Sequence, residues 1–259
     1  MMEYSNVLVD RQEQIGIITL NRPQAMNTFN VPFARELNAA LWELENDPGI
    51  RVVVIDANGK HFSVGISLDE FKNKTHKEYH EFIRLMDEHN HTIARMRKPV
   101  IASVKGYALA NGAGLSFACD LTVAAEDAKF GTTAINVGLI CLGPAAPLFR
   151  NVGRKKALEM VLTGDMITAA EAERLGLVNK VVPLDKLEEA TMELAKKLAA
   201  KSPLALQAGK AGIYGMQDMT YSQALDMLSD RFAALCCTAD AEEGVKAFLE
   251  KRTPGWRMC

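Results

Sequence analysis

Short runs of β-branched residues alternate along this chain with longer stretches whose apolar positions recur every three or four residues, and that alternation predicts an α/β protein. "IGIITL" (15–20) and "RVVVIDAN" (51–58) are bounded by turn residues and predict strands; between them "NVPFARELNAALWELEND" (30–47) has helical spacing. "KPVIASVKG" (98–106) and "DLTVAAED" (120–127) predict two further strands, and "GRKKALEMVLTG" (153–164) a helix. In "TAAEAERLG" (168–176), Thr168 and Glu171 have the spacing of a capping box and Gly176 ends the helix, after which "LVNKVVP" (177–183) predicts a closing strand. From about Lys201 the strand signal stops. "SPLALQAGKAGIYGM", "YSQALDMLSDRFAALCC" and "DAEEGVKAFLEKR" all predict helices, with Ser202 before Pro203 and Asp240 before Glu243 as start signals. The expected organisation is an α/β core over residues 1–199 and a helical region over residues 200–259, whose apolar faces would dock on that core or on a second subunit.

One stretch departs from this regular pattern. "GYALANGAGLSFACD" (106–120) predicts a strand, a tight turn and a helix that begins among Ala110, Asn111, Gly112, Ala113 and Gly114. Small residues let a ligand come close to the backbone, and the first N–H groups of a helix lack intrahelical acceptors. The stretch therefore suits an oxygen atom, although the same residues also suit close helix–strand packing.

Composition narrows the function classes. A net charge of −2 gives no general reason to expect nucleic acid or a membrane surface as partner, and the longest apolar stretch, "AINVGLICLGPAAPLF", is too short and too interrupted to span a bilayer. "MMEYSNVLVDRQ" has no basic segment leading into an apolar one, so no signal peptide is expected. The five cysteines (Cys119, Cys141, Cys236, Cys237, Cys259) show no CxxC spacing and the five histidines are scattered, which supports neither a disulfide framework nor a metal site. A reducing, cytoplasmic setting is the expectation.

Six segments together carry a family resemblance: "LNRPQAMNTF", "GKHFSVGISLDEF", "KPVIASVKGYALANGAGL", "CDLTVAAEDAKFG", "VGRKKALEMVLTGDMITAAEAERLGLVNKVVP" and "EGVKAFLEKRTPGW". In these the chain resembles the crotonase (enoyl-CoA hydratase/isomerase) superfamily over nearly its whole length. "NVGL" and the "KRTPGW" ending are most similar to the branch typified by enoyl-CoA hydratase domain-containing protein 3. The resemblance implies a spiral of ββα units with a C-terminal helical trimerisation region. It also implies acyl-CoA thioesters as substrates, with coenzyme A part of the substrate and no separate cofactor, and trimers or hexamers of the chain. The family's chemistry places negative charge on a thioester oxygen, which two fixed backbone N–H groups stabilise. By resemblance those donors are the amides of Ile66 and Asn111, flanked by Gly65 and Gly112. Val64, Ile66 and Leu68 would run along the pantetheine, Ala25 and Met26 would lie near the adenine, and Lys251 would approach the CoA phosphates.

The resemblance also marks departures. Hydratases of the family use two glutamates as acid and base; Gly114 and Ala134 stand at those positions here. Leu142 stands where isomerases carry a glutamate and dehalogenases an aspartate. Cys141 takes the place of a tyrosine of related decarboxylases, as weak acid, nucleophile or, the favoured reading, apolar filler. Thr133 and Asn136 suit a carboxylate or water, or local backbone groups; Asp69 and Glu70 would face solvent or cap a helix. His76, His80, His89 and His91 fall in a segment, "THKEYHEFIRLMDEHNHTIARM", that is mobile in many relatives, and Ile135, Leu139 and Leu142 suggest an apolar acyl pocket. Three readings stay open: a conventional hydratase or isomerase with an unrecognised base, an enolate-forming enzyme such as a decarboxylase, and a non-catalytic acyl-CoA binder.

Overall fold

The structure, a computed structural model, describes residues 4–257; the first three residues of "MMEYSNVLVDRQ" and Cys259 lie outside it. The chain opens with β1 (Val7–Gln12), β2 (Ile15–Leu20), α1 (Val31–Asn46), β3 (Val52–Ala57) and α2 (His76–Arg95). Then come β4 (Val100–Val104), β5 (Tyr107–Leu109), α3 (Asn111–Ala118), β6 (Leu121–Ala125) and β7 (Lys129–Gly131). α4 (Leu142–Val152), α5 (Arg154–Thr163), β8 (Met166–Thr168), α6 (Ala169–Arg174), β9 (Lys180–Val182) and α7 (Leu187–Ala199) follow. α8 (Pro203–Met216), α9 (Tyr221–Cys236) and α10 (Ala239–Leu249) complete it.

The Val/Ile runs of β3 and β4 are buried along almost their whole length because helices cover both faces of their sheet. Alternate residues sort by face: Val53, Ile55, Val100 and Ala102 pack with α1, while Val52, Val54 and Ile101 pack with α7. The strand order is β1-β2-β3-β4-β6-β9, parallel except for the β1–β2 pair. A second, three-stranded sheet, β5-β7-β8, stands beside it. β7 and β8 are three residues long, too short to leave a periodic signal, and went unpredicted. The predicted closing strand is likewise trimmed to Lys180–Val182.

The segment that is mobile in many relatives holds a 20-residue helix, α2, started by a capping box between Thr75 and Glu78. Two local expectations change. α10 is capped by the Thr238 side chain and not by Asp240, which is buried and accepts from Ser202 Oγ (3.0 Å) and the Arg257 N–H (2.7 Å). The Ser202 cap forms as read, on the amide of Ala205; Thr168 caps the amide of Glu171, but the box is not closed, because the Glu171 carboxylate turns to Lys156 (3.1 Å). Among the described residues no helix is long and apolar enough to cross a membrane, and no group of three or more His, Cys, Asp or Glu side chains could hold a metal ion.

α2 buries His89 against Phe29. Burial pushes its imidazole from the ordinary 6.5 down to about 4; the charge of His91 adds to this and the Met86 carbonyl opposes it. Below pH 6.5 the unfolded chain takes up a proton that the folded chain refuses, so stability falls as pH drops from about 6.5 to about 4, by on the order of 3 kcal/mol. Asp87, whose carboxyl is raised, works in the opposite sense over part of this window. The readout is therefore a difference between proteins: His89→Phe should lose less stability than wild type between pH 6.5 and 4 in urea unfolding, and parallel curves would exclude His89 as the cause.

Candidate active site

Residues 63–68 lie between two neighbours. Ser63 pairs with Ala108 of β5, and Phe29 with Ile66, in two isolated parallel bridges. The Phe29 N–H donates to Gly65 O (2.8 Å) and the Ser67 N–H to Phe29 O (2.9 Å), which turns the Ile66 N–H to the opposite side. It has no acceptor among the described residues. Asn111 opens α3, where a first-turn N–H has no carbonyl four residues back, and its amide is also without an acceptor. Ala110, the residue before it, sits at φ 47°, ψ −121°, a conformation that strains a residue with a Cβ and turns the chain sharply into the helix.

Close approach of these two segments depends on glycine. Gly65 has φ +98°, and a Cβ on it would stand 2.6 Å from Ala110 Cβ and 3.4 Å from Asn111 N. A Cβ on Gly112 would stand 2.7 Å from the Ser63 carbonyl carbon. The two unpaired amides are thereby held side by side at the wall of a cavity of about 1030 Å³.

That cavity is mostly apolar. Met26, Val64, Leu68, Ala134, Leu139 and Leu142 line it, as do Ile66, Asn111 and Cys141. Gly65 and Gly112 stand behind its wall, and Ala25, Gly114 and Lys251 do not line it. A Cβ on Gly114 would already lie 2.9 Å from Pro144 Cγ, so this position faces α4 and has no room for a longer side chain without movement. Thr133 and Ile135 line the cavity, whereas Asn136 turns its amide toward Gly164 O. Cys141 is buried, and burial raises its thiol, which keeps it neutral near pH 7 and unsuited to act as a thiolate. Asp69 is exposed and pairs with Lys72. None of the four α2 histidines reaches the cavity: His76, His80 and His91 face an outer groove and His89 is in the core.

α2 brings one group that the sequence reading passed over. Tyr79, Ile83 and Asp87, spaced by four, line the cavity as one stripe. Asp87 Oδ1 accepts from Asn111 Nδ2 at 2.9 Å, and a Cβ on Gly143 would collide with both carboxylate oxygens. Burial pushes the Asp87 carboxyl up to about 6, against the lowering effects of the Asn111 hydrogen bond and the His91 charge. A carboxylate ending an apolar helical stripe was the available signal.

Two backbone amides without acceptors among the described residues therefore stand at the wall of an apolar cavity in an α/β fold. Residues 10–258 match the enoyl-CoA hydratase/isomerase family, and the chain belongs to that family, with the crotonase fold and C-terminal helices. It is 38% identical over 254 residues to a probable enoyl-CoA hydratase of Rhizobium meliloti (strain 1021), covering 97% of each chain. A crystal structure of enoyl-CoA hydratase from Mycobacterium smegmatis superimposes with a TM-score of 0.94 at 38% identity, covering 97% of this chain and 99% of that one. Human enoyl-CoA hydratase domain-containing protein 3 superimposes with a TM-score of 0.93 at 34% identity, covering 97% and 100%, and supports the branch read from the sequence.

Proposed function

We propose that the cavity binds an acyl-CoA thioester and that the Ile66 and Asn111 N–H groups hold its carbonyl oxygen, stabilising an enolate. The observation carrying this reading is the pair of unpaired backbone donors facing an apolar cavity. Val64, Ile66 and Leu68 would border the pantetheine arm, Met26 would lie toward its adenine end, and the acyl chain would lie among Ala134, Ile135, Leu139 and Leu142. With Gly114 and Ala134 at the positions of the family's two glutamates, the reading favours enolate-forming chemistry over ordinary water addition. Crotonyl-CoA hydration should be 10²–10⁴-fold below that of a hydratase with both acids. Self-association into trimers or hexamers belongs to the same reading, and the exposed Phe232, Val245, Phe248 and Leu249 supply apolar surface for it.

Titration calorimetry tests the site. Butyryl-CoA should bind roughly tenfold or more tightly than S-butyl-CoA, a thioether without the carbonyl oxygen, because two hydrogen bonds to that oxygen are at stake. Equal affinities would remove the oxygen from the two amides. Failure of both ligands to bind would remove CoA thioesters altogether.

A further inference from the structure

We infer that Asp87 is a catalytic residue of this chain: its carboxylate takes a proton from the carbon next to the thioester carbonyl and returns it. The inference rests on the acyl-CoA reading of the cavity and adds the acid–base group that reading lacks.

Placement is the first argument. Asn111 offers its backbone N–H to the cavity while its side-chain amide donates to Asp87 Oδ1 at 2.9 Å. One residue thus links the oxyanion position to the carboxylate, and the acyl α-carbon is only two bonds from the oxygen that the N–H would hold. The second argument is the state of the carboxylate. Oδ1 is occupied by Asn111, whereas Oδ2 accepts no hydrogen bond among the described residues. It therefore has a lone pair for a C–H proton in a largely apolar setting, where a carboxylate is a stronger base than in water. The third argument is room. Gly143, in the first turn of α4, lies against both carboxylate oxygens, and no larger residue fits there with Asp87 in place.

The step balances without a further reactant. Oδ2 accepts the α-proton; the C–H electron pair becomes the enolate π bond; and the negative charge passes to the thioester oxygen beside Ile66 and Asn111. The protonated carboxyl then exchanges with solvent and returns a proton to the same carbon, regenerating the thioester.

In D2O the protein should therefore incorporate deuterium into butyryl-CoA at the α-carbon, read by mass spectrometry, with the rate rising as pH passes through about 6. The titratable groups sharing grooves with Asp87 are His76, Tyr79, His80, Arg84, Glu88 and His91 on its own helix and the neutral Cys141 thiol at the start of α4, and the Asn111 amide of α3 donates to it. Asp87→Asn should slow exchange by at least 10²-fold while leaving butyryl-CoA affinity within a few-fold. Gly143→Ala, which displaces the carboxylate without changing its chemistry, should slow it as well. Exchange by Asp87→Asn within tenfold of wild type overturns the inference. So does a wild type that binds butyryl-CoA without exchanging it, and that result leaves the acyl-CoA reading intact. Absence of butyryl-CoA binding overturns the acyl-CoA reading itself, and this inference with it.

Discussion

Gly112→Ala should slow α-proton exchange on butyryl-CoA by 10²–10³-fold, the usual effect of losing one donor to a developing oxyanion. The cause is steric. The new methyl group would fall within 2.7 Å of the Ser63 carbonyl carbon and 2.8 Å of Ser63 Cβ, so α3 and the Ser63–Leu68 segment must part. Ser63 cannot easily yield, because its N–H donates to Tyr107 O (3.1 Å), its carbonyl accepts from the Leu109 N–H (2.9 Å) and its hydroxyl donates to Asn27 O (2.8 Å). The asparagine that opens α3 therefore moves, and its N–H separates from that of Ile66. Overpacking of this kind costs about 1–3 kcal/mol, too little to unfold a chain of this size, so the loss should appear in folded protein by circular dichroism. Exchange within threefold of wild type would show that the two amides do not act together.

Lys210→Met should lower stability by about 3–5 kcal/mol, a drop in Tm on the order of 10 °C. Lys210 reaches from α8 to Asp120 Oδ2 at 2.6 Å and to Lys98 O at 3.0 Å, and Asp120 also accepts from the Val100 N–H at 2.7 Å. The two side chains are only 7% and 14% exposed. Burial alone raises the Asp120 carboxyl, and the lysine opposes that shift. Removing the ammonium leaves a buried carboxylate without its counter-charge, a larger penalty than the net stabilisation by the pair itself. The deficit should therefore shrink as pH falls and Asp120 protonates in the folded state. Lys210→Met/Asp120→Asn should recover most of it, since the asparagine oxygen can still accept from Val100. A single-variant cost below 1 kcal/mol would mean that the pair is solvated and that α8 is held by its apolar contacts.

Much of this architecture was legible because it depends on neighbours close in sequence. The β-branched runs at 52–55 and 100–104 mark strands covered on both faces, and the Thr168 and Ser202 caps follow from residues three positions apart. The small-residue turn ahead of α3 could be seen as a place for an oxygen atom for the same reason, since a helix start and its missing Cβ atoms are local properties. Where local signals competed, packing decided. Asp240 has the residue type of a cap, yet its partners, Ser202 and Arg257, lie 38 and 17 residues away, and Thr238 took the local role.

The groups around the cavity were less legible. Gly114, Ala134 and Leu142 stand at the three positions on and around α3 and α4 where the resemblance would put acids, and none of them is a base. Asp87 lies 24 residues from Asn111 in sequence, and only the packing of α2 against α3 and α4 brings it to the cavity. The sequence by itself determined the alternation of strands and helices, the family and the glycines that allow two segments to approach. Only the tertiary structure decided which amides were left without acceptors, which carboxylate faces the cavity and how strongly burial shifts it, because desolvation is set by atoms that the chain brings together from far apart.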